Sequence, residues 1–254
     1  MINRREILEA ASSFSLLASV VEKDYVLGWI LAGISAHVEL SESWVFKGGT
    51  CLKKCYFETY RFSEDLDFTL PDETHIDEDF LRPAFEEIVV WIAEQSGLNI
   101  PAGQLEFNIY ENPRGRLNCQ GKIAYRGPVS PNSGGWPKIK LDLTADEKLV
   151  LPPVRREVFH PYTDHPEGGI WASCYAYEEA FGEKLRALGE RTRPRDLYDV
   201  VNLYRHTDSR PTASVLRNVL QQKCEYKAIP VPTLDSLLSH RDSLQAMWSD
   251  MLAH

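Results

Sequence analysis

The spacing of hydrophobic and polar positions divides the chain into a helical start, a mixed middle and a helical end. Over the first forty residues, apolar side chains such as Val21, Tyr25, Leu27, Ile30 and Leu31 recur at roughly helical period. Residues 44–47 predict a short strand ended by Gly48-Gly49, and residues 50–60 return to a helical pattern with Leu52, Tyr56 and Tyr60 on one side. Leu66 and Phe68 then alternate with Asp65 and Asp67, the period of a strand, which Pro71 closes. Residues 78–97 predict an amphipathic helix with Phe85, Ile88, Val89 and Ile92 on its apolar stripe and Gly97 as its stop. Pro83 suits only a first turn, so the regular part is expected to begin a few residues after Glu78. Residues 104–110, 121–125 and 139–144 are β-rich, and 127–137, full of Pro, Gly, Ser and Asn, predict a loop. Helices are expected at 177–189, 194–206, 213–224 and 234–252. The predicted fold class is α+β, a mixed-sheet core with N-terminal helices and a helical C-terminal half. The expected division is a catalytic core over residues 1–165 and a helical domain over 166–254 that completes the active site.

Composition narrows the setting. A chain of 254 residues, 43% hydrophobic and 26% charged, buries a substantial core without staples. Residues 25–35 are the most apolar stretch, about half the length of a membrane span. Residues 1–9 are charged and no signal-peptide pattern follows them. A cytoplasmic protein with no membrane partner is therefore expected. The cysteines are Cys51, Cys55, Cys119, Cys174 and Cys224, with no zinc-type spacing. Cys51 and Cys55 share a helix face and read as small buried thiols in a reducing compartment. The net charge of −9 argues against coating nucleic acid through bulk charge. It leaves room for local contact with a polyanion at Arg114, Arg116, Lys122 and Arg126, or at Arg186, Arg191, Arg193 and Arg195.

The candidate chemistry starts at Lys47-Gly48-Gly49-Thr50. Glycines between a strand and a helix let the backbone approach a ligand, and the free N–H groups of the helix start favour phosphate. Thr50 adds a hydroxyl, and Lys47 and Lys53 add charge. About fifteen residues on, Asp65 and Asp67 point to one face of their strand, where two carboxylates repel unless a cation lies between them. Lys140 and Asp142 share the equivalent face of residues 139–144. Three carboxylates on adjacent strands suit a metal site for phosphoryl chemistry. Later, Lys184 could neutralise developing phosphate charge, and Asp196 and Asp199 share one helix face. Each signal is common when it stands alone.

As an ordered set they resemble a family. Glu22-Lys23-Asp24-Tyr25-Val26-Leu27, Val45-Phe46-Lys47-Gly48-Gly49-Thr50, Arg61-Phe62-Ser63-Glu64-Asp65-Leu66-Asp67-Phe68, Glu183-Lys184 and Arg195-Asp196-Leu197-Tyr198-Asp199 look like the AbiEii/AbiGii toxin nucleotidyltransferases, with the MenT-like toxins, in the DNA polymerase β-like superfamily. The resemblance runs over residues 20–205. It implies the toxin of a bacterial toxin–antitoxin or phage-defence pair. Such an enzyme would move a nucleoside monophosphate from an NTP to the 3′ end of tRNA or another RNA, with Mg2+ or Mn2+. By resemblance, Lys47, Gly48, Gly49, Thr50, Ser63 and Lys184 would contact the nucleotide. Asp65, Asp67 and Asp142 would bind metal, and Asp196 would act as a catalytic or site-shaping acid. Cys51 departs from the Ser or Ala expected after Gly-Gly-Thr, and residues 206–254 carry no matching motif.

Two other readings compete. Asp65-Leu66-Asp67-Phe68-Thr69 fits the Asp-x-Asp-x-Thr signature of a haloacid dehalogenase phosphatase, whose first Asp is a nucleophile. The polar residues ahead of it, and the lack of alternating strands and helices after it, argue against that fold. The other is a nucleotide-binding interaction module without catalysis.

Overall fold

The computed structural model describes residues 1–57, 63–131, 133–206 and 211–252, with residues 249–252 described by backbone alone. Two compact units result, Met1–Asp146 with Arg155–Cys174, and Glu147–Val154 with Tyr175–His254. In the first, helices α1 (Arg4–Phe14), α2 (Ala18–Ala36) and α3 (Val38–Ser43) lead into strand β1 (Val45–Lys47). Helix α4 (Gly48–Cys51) continues as a π-helical turn, Leu52–Tyr56. Then come β2 (Asp65–Thr69), α5 (Glu78–Ser96), β3 (Leu105–Glu111), β4 (Leu117–Ala124), β5 (Lys138–Thr144), β6 (Val154–Glu157) and β7 (Trp171–Cys174). The strands form one mixed sheet in the order β3-β4-β5-β2-β1-β7-β6. Strand β2 is antiparallel to β1 and parallel to β5, so the sheet is not doubly wound. The phosphatase reading fails on that topology.

Helix α2 is buried nearly all round, which is why its sequence shows no clean stripe. Gly33 lets α5 come close, since a Cβ there would sit 2.7 Å from Ile88 Cγ2. Trp44, Phe46, Phe68, Phe85 and Phe107 build an aromatic core on this side of the sheet, with the Phe46 and Phe68 ring centroids 5.2 Å apart.

Several expectations need correction. Helix α5 starts at Glu78 rather than later, because Asp77 caps it and Leu81 N–H bonds the Asp77 carbonyl at 2.8 Å. Pro83 is tolerated because the carbonyl it cannot serve belongs to exposed Asp79, which can turn to water. Strands β6 and β7 were not expected at all. Residues 58–62, including the end of the helix expected at 50–60 and the Arg61-Phe62 part of the resemblance, lie outside the described residues.

The second unit holds α6 (Tyr177–Arg191), α7 (Pro194–Arg205), α8 (Ala213–Lys227), α9 (Leu234–Leu238) and α10 (Arg241–Leu252). The single helix expected over 234–252 is thus two. Lys223 is buried here and pairs with Glu179 at 2.8 Å, while Glu179 also accepts N–H bonds from Val150 and Leu151. No described helix is long and apolar enough to cross a membrane.

Candidate active site

Strand register assembles the site. Lys47 lies opposite Asp67, Asp67 opposite Asp142, and Asp142 opposite Gln120, giving one row across β1, β2, β5 and β4. Neighbours in such a row stand about 4.8 Å apart and share a face. Asp65 begins a second row with Lys140 and Lys122. Phe46, Leu66, Phe68, Leu141 and Leu143 alternate with these residues and are buried on the opposite side. Apolar anchoring therefore turns the acids outward. The structure thus brings Asp65, Asp67 and Asp142 to one face of the sheet. Gln120 was missed, because β4–β5 pairing leaves no local signal.

Burial, then the charges of Asp67 and Asp65, raise the Asp142 carboxyl from 3.8 to about 6, with Lys140 and Lys47 opposing. Crowded hard-oxygen donors of this kind fit a divalent cation of the Mg2+ or Mn2+ type. A raised carboxyl binds more protons in the folded chain than in the unfolded one. Metal-free stability should therefore fall as pH rises through this range, from about 4 to above 6. Asp142→Asn is expected to remove that slope and to stabilise the metal-free chain above the window by about 1 kcal/mol, allowing for solvent screening. Thermal midpoints in chelator across pH check this, and parallel pH curves for the two chains would contradict it.

Gly48 adopts φ +80°, and a Cβ there would lie 2.1 Å from Asp67 Oδ2. Only glycine both makes this turn and leaves Asp67 in its row. Gly48→Ala is expected to destabilise by about 1–3 kcal/mol and to lower transfer at least about tenfold. Chemical unfolding and initial rates measure the two effects. Thr50 is fully buried, and its hydroxyl donates to the Asp65 carbonyl at 2.5 Å, tying the glycine turn to β2. Gly49 is buried beside it, and Lys47 is half-buried at the helix start. Ser63 is half-buried, two residues ahead of Asp65.

Lys53 does not lend its charge to a triphosphate as expected. Its Nζ lies 2.8 Å from Asp24 Oδ1, and Lys54 Nζ lies 3.1 Å from Oδ2. Burial pushes the Asp24 carboxyl up, but Lys54 and Lys53 outweigh it and hold it well below the usual range. Three consecutive residues of α2 thus brace three segments. Glu22 accepts from Val129 N–H at 2.5 Å and from Ser130 N–H and Oγ, both at 2.8 Å, and Lys23 pairs with Glu64 at 2.5 Å. The Glu22-Lys23-Asp24 motif therefore frames the turn and the loop over 127–137.

In the second unit, Lys184 Nζ lies 2.7 Å from Asp199 and 3.9 Å from Asp196. Arg191 grips both Asp196 oxygens, at 2.8 and 2.9 Å. The two basic runs differ. Arg186 is buried among Glu147, Glu183 and Glu190, so it is not free to meet a polyanion. The side chains of Arg114, Arg116 and Lys122 stay 38%, 47% and 53% exposed.

A glycine turn at a helix start, beside a row of carboxylates on a mixed sheet, suits metal-assisted chemistry on a phosphate. The chain belongs to the family of the nucleotidyl transferase AbiEii toxin of type IV toxin–antitoxin systems, which matches residues 29–254. It is a toxin nucleotidyltransferase, and the family uses NTPs and divalent metal and implies a cognate antitoxin. The fold is similar to that of MenT4, a nucleotidyltransferase toxin from Mycobacterium tuberculosis H37Rv, with a TM-score of 0.50 and 19% identity over 99% of each chain. No curated protein matches the sequence.

Proposed function

We propose that this enzyme transfers a nucleoside monophosphate from an NTP to the 3′ end of tRNA, with Mg2+ or Mn2+ as the metal. The row Lys47–Asp67–Asp142 beside Gly48 is the observation that carries the reading. Asp67 and Asp142, with Asp65 beside them, would hold a divalent cation, which would supply charge neutralisation for the triphosphate and acidify the attacking hydroxyl. The N–H groups at the start of α4 face the phosphates, and Lys47 adds positive charge. Ser63 donates to a phosphate oxygen. Lys184, held by Asp199 at 2.7 Å, is assigned as a phosphate contact, and Asp196, gripped by Arg191, as a site-shaping acid. The acceptor oxygen attacks the α-phosphorus in line, the bond to the β-phosphate oxygen breaks, and pyrophosphate leaves with the electron pair. The hydroxyl proton passes to solvent.

Acceptor identity is tested with periodate-treated tRNA, whose terminal ribose has lost its diol. Untreated tRNA is expected to take label from an α-radiolabelled NTP, and treated tRNA none. Equal labelling of both, or label on the protein instead, would overturn the 3′ acceptor.

A further inference from the structure

We propose that Cys51, Cys55 and Cys174 form a binding site for one thiophilic cation of the Cu+ or Zn2+ class, separate from the carboxylate row. The three sulfurs all lie within 4.8 Å of one another. A cation bonded to three sulfurs at about 2.3 Å needs them about 4 Å apart, so closing the site takes under about 1 Å of movement. The ligands come from two elements. Cys51 ends α4 and Cys55 lies one turn on, whereas Cys174 ends β7 opposite Phe46 of β1. All three are nearly inaccessible, at 1%, 6% and 0% exposed.

A thiol in a core is ordinarily a small hydrophobe, and Cys119 on β4 and Cys224 on α8 are buried in that manner. The trio differs in its convergence and in the cation fixed beside it. Arg156 is fixed there, with its Nε donating to the Cys55 carbonyl at 2.7 Å and its guanidinium 4.3 Å from the Tyr56 ring centroid. On binding, each sulfur coordinates as a thiolate and the displaced thiol protons pass to solvent.

A cavity of about 480 Å³ lies beside the site, lined by Cys55 together with Tyr56, Arg156, Lys53 and Lys54. Soft sulfur donors select against Mg2+, so the two sites would not compete for one ion. Cys51 directly follows Thr50, so an ion held there would pin the helix that carries the glycine turn.

The test is a titration of the reduced, full-length chain under anaerobic conditions, with Cd2+ as the optical probe and Zn2+ and Cu+ in parallel. A thiolate-to-Cd2+ charge-transfer band is expected to saturate at one equivalent per chain, with a rise in thermal midpoint. Cys174→Ala should lose both signals and Cys119→Ala should keep them. Circular dichroism confirms folding, and Cys51→Ala stands in if Cys174→Ala does not fold. Stronger retention of Cu+ than of Zn2+ on dialysis would support a three-coordinate site, and the reverse would support a Zn2+ site with solvent as fourth ligand. No saturable band in the wild type, or a band retained in both Cys51→Ala and Cys174→Ala, would overturn the proposal.

Discussion

Asp67→Asn is expected to lower nucleotide transfer by at least about 10²–10³-fold while leaving the metal-free chain as stable as the wild type or more so. The two effects have one cause. Asp67 sits in register between Lys47 and Asp142, and its charge is one of those that push the Asp142 carboxyl up to about 6. Asparagine keeps the shape and removes the charge. The row then loses a proposed metal ligand, and Asp142 loses a repulsive neighbour. A residue kept for folding would behave in the opposite way. Rates with labelled NTP and thermal midpoints in chelator measure the pair. A joint fall in stability and rate would assign Asp67 to the fold and not to the chemistry.

Asp24→Ala is expected to produce the largest loss of stability, about 3–5 kcal/mol. The carboxylate is shared by Lys53 and Lys54, which are 3% and 1% exposed, and by the Tyr162 hydroxyl at 3.1 Å. Removing it strips two buried ammonium groups of their common counter-charge. Both lysines belong to the π-helical turn that follows the glycine loop, so transfer should fall along with stability. Asp24→Asn keeps the hydrogen-bond acceptor and should be milder. Urea unfolding of the two variants checks the order. A loss under about 1 kcal/mol for Asp24→Ala would mean that other groups hold the lysines.

Much of this site is legible in the amino-acid sequence. The alternation of Asp65 and Asp67 with Leu66 and Phe68 sets a polar face against an apolar one, and Lys140 and Asp142 repeat that alternation on β5. Pairing between distant strands is what the sequence does not carry in any local pattern. The placement of Gln120 beside Asp142, and of Cys174 beside the α4 thiols, depends on which strands adjoin, and nothing local encodes it. Strands β6 and β7 escape notice because their mostly exposed and half-buried positions, Val154–Glu157 and Trp171–Cys174, set up no apolar alternation. Lys53 misleads for a related reason. Its place near the glycine turn is readable, but the buried carboxylate that claims it is 29 residues away. The break between α9 and α10 at Ser239 and His240 carries no Pro or Gly to announce it.

The proposed metal-dependent transfer rests on the carboxylates Asp65, Asp67 and Asp142. Its most direct test incubates the chain with each α-radiolabelled NTP, Mg2+ and total tRNA, beside an Asp65→Ala/Asp67→Ala double variant and a chelator control. Label is expected on RNA from the wild type with one or more NTPs, and none from the double variant or in chelator. Equal labelling by wild type and double variant, or labelling that survives chelation, would contradict it.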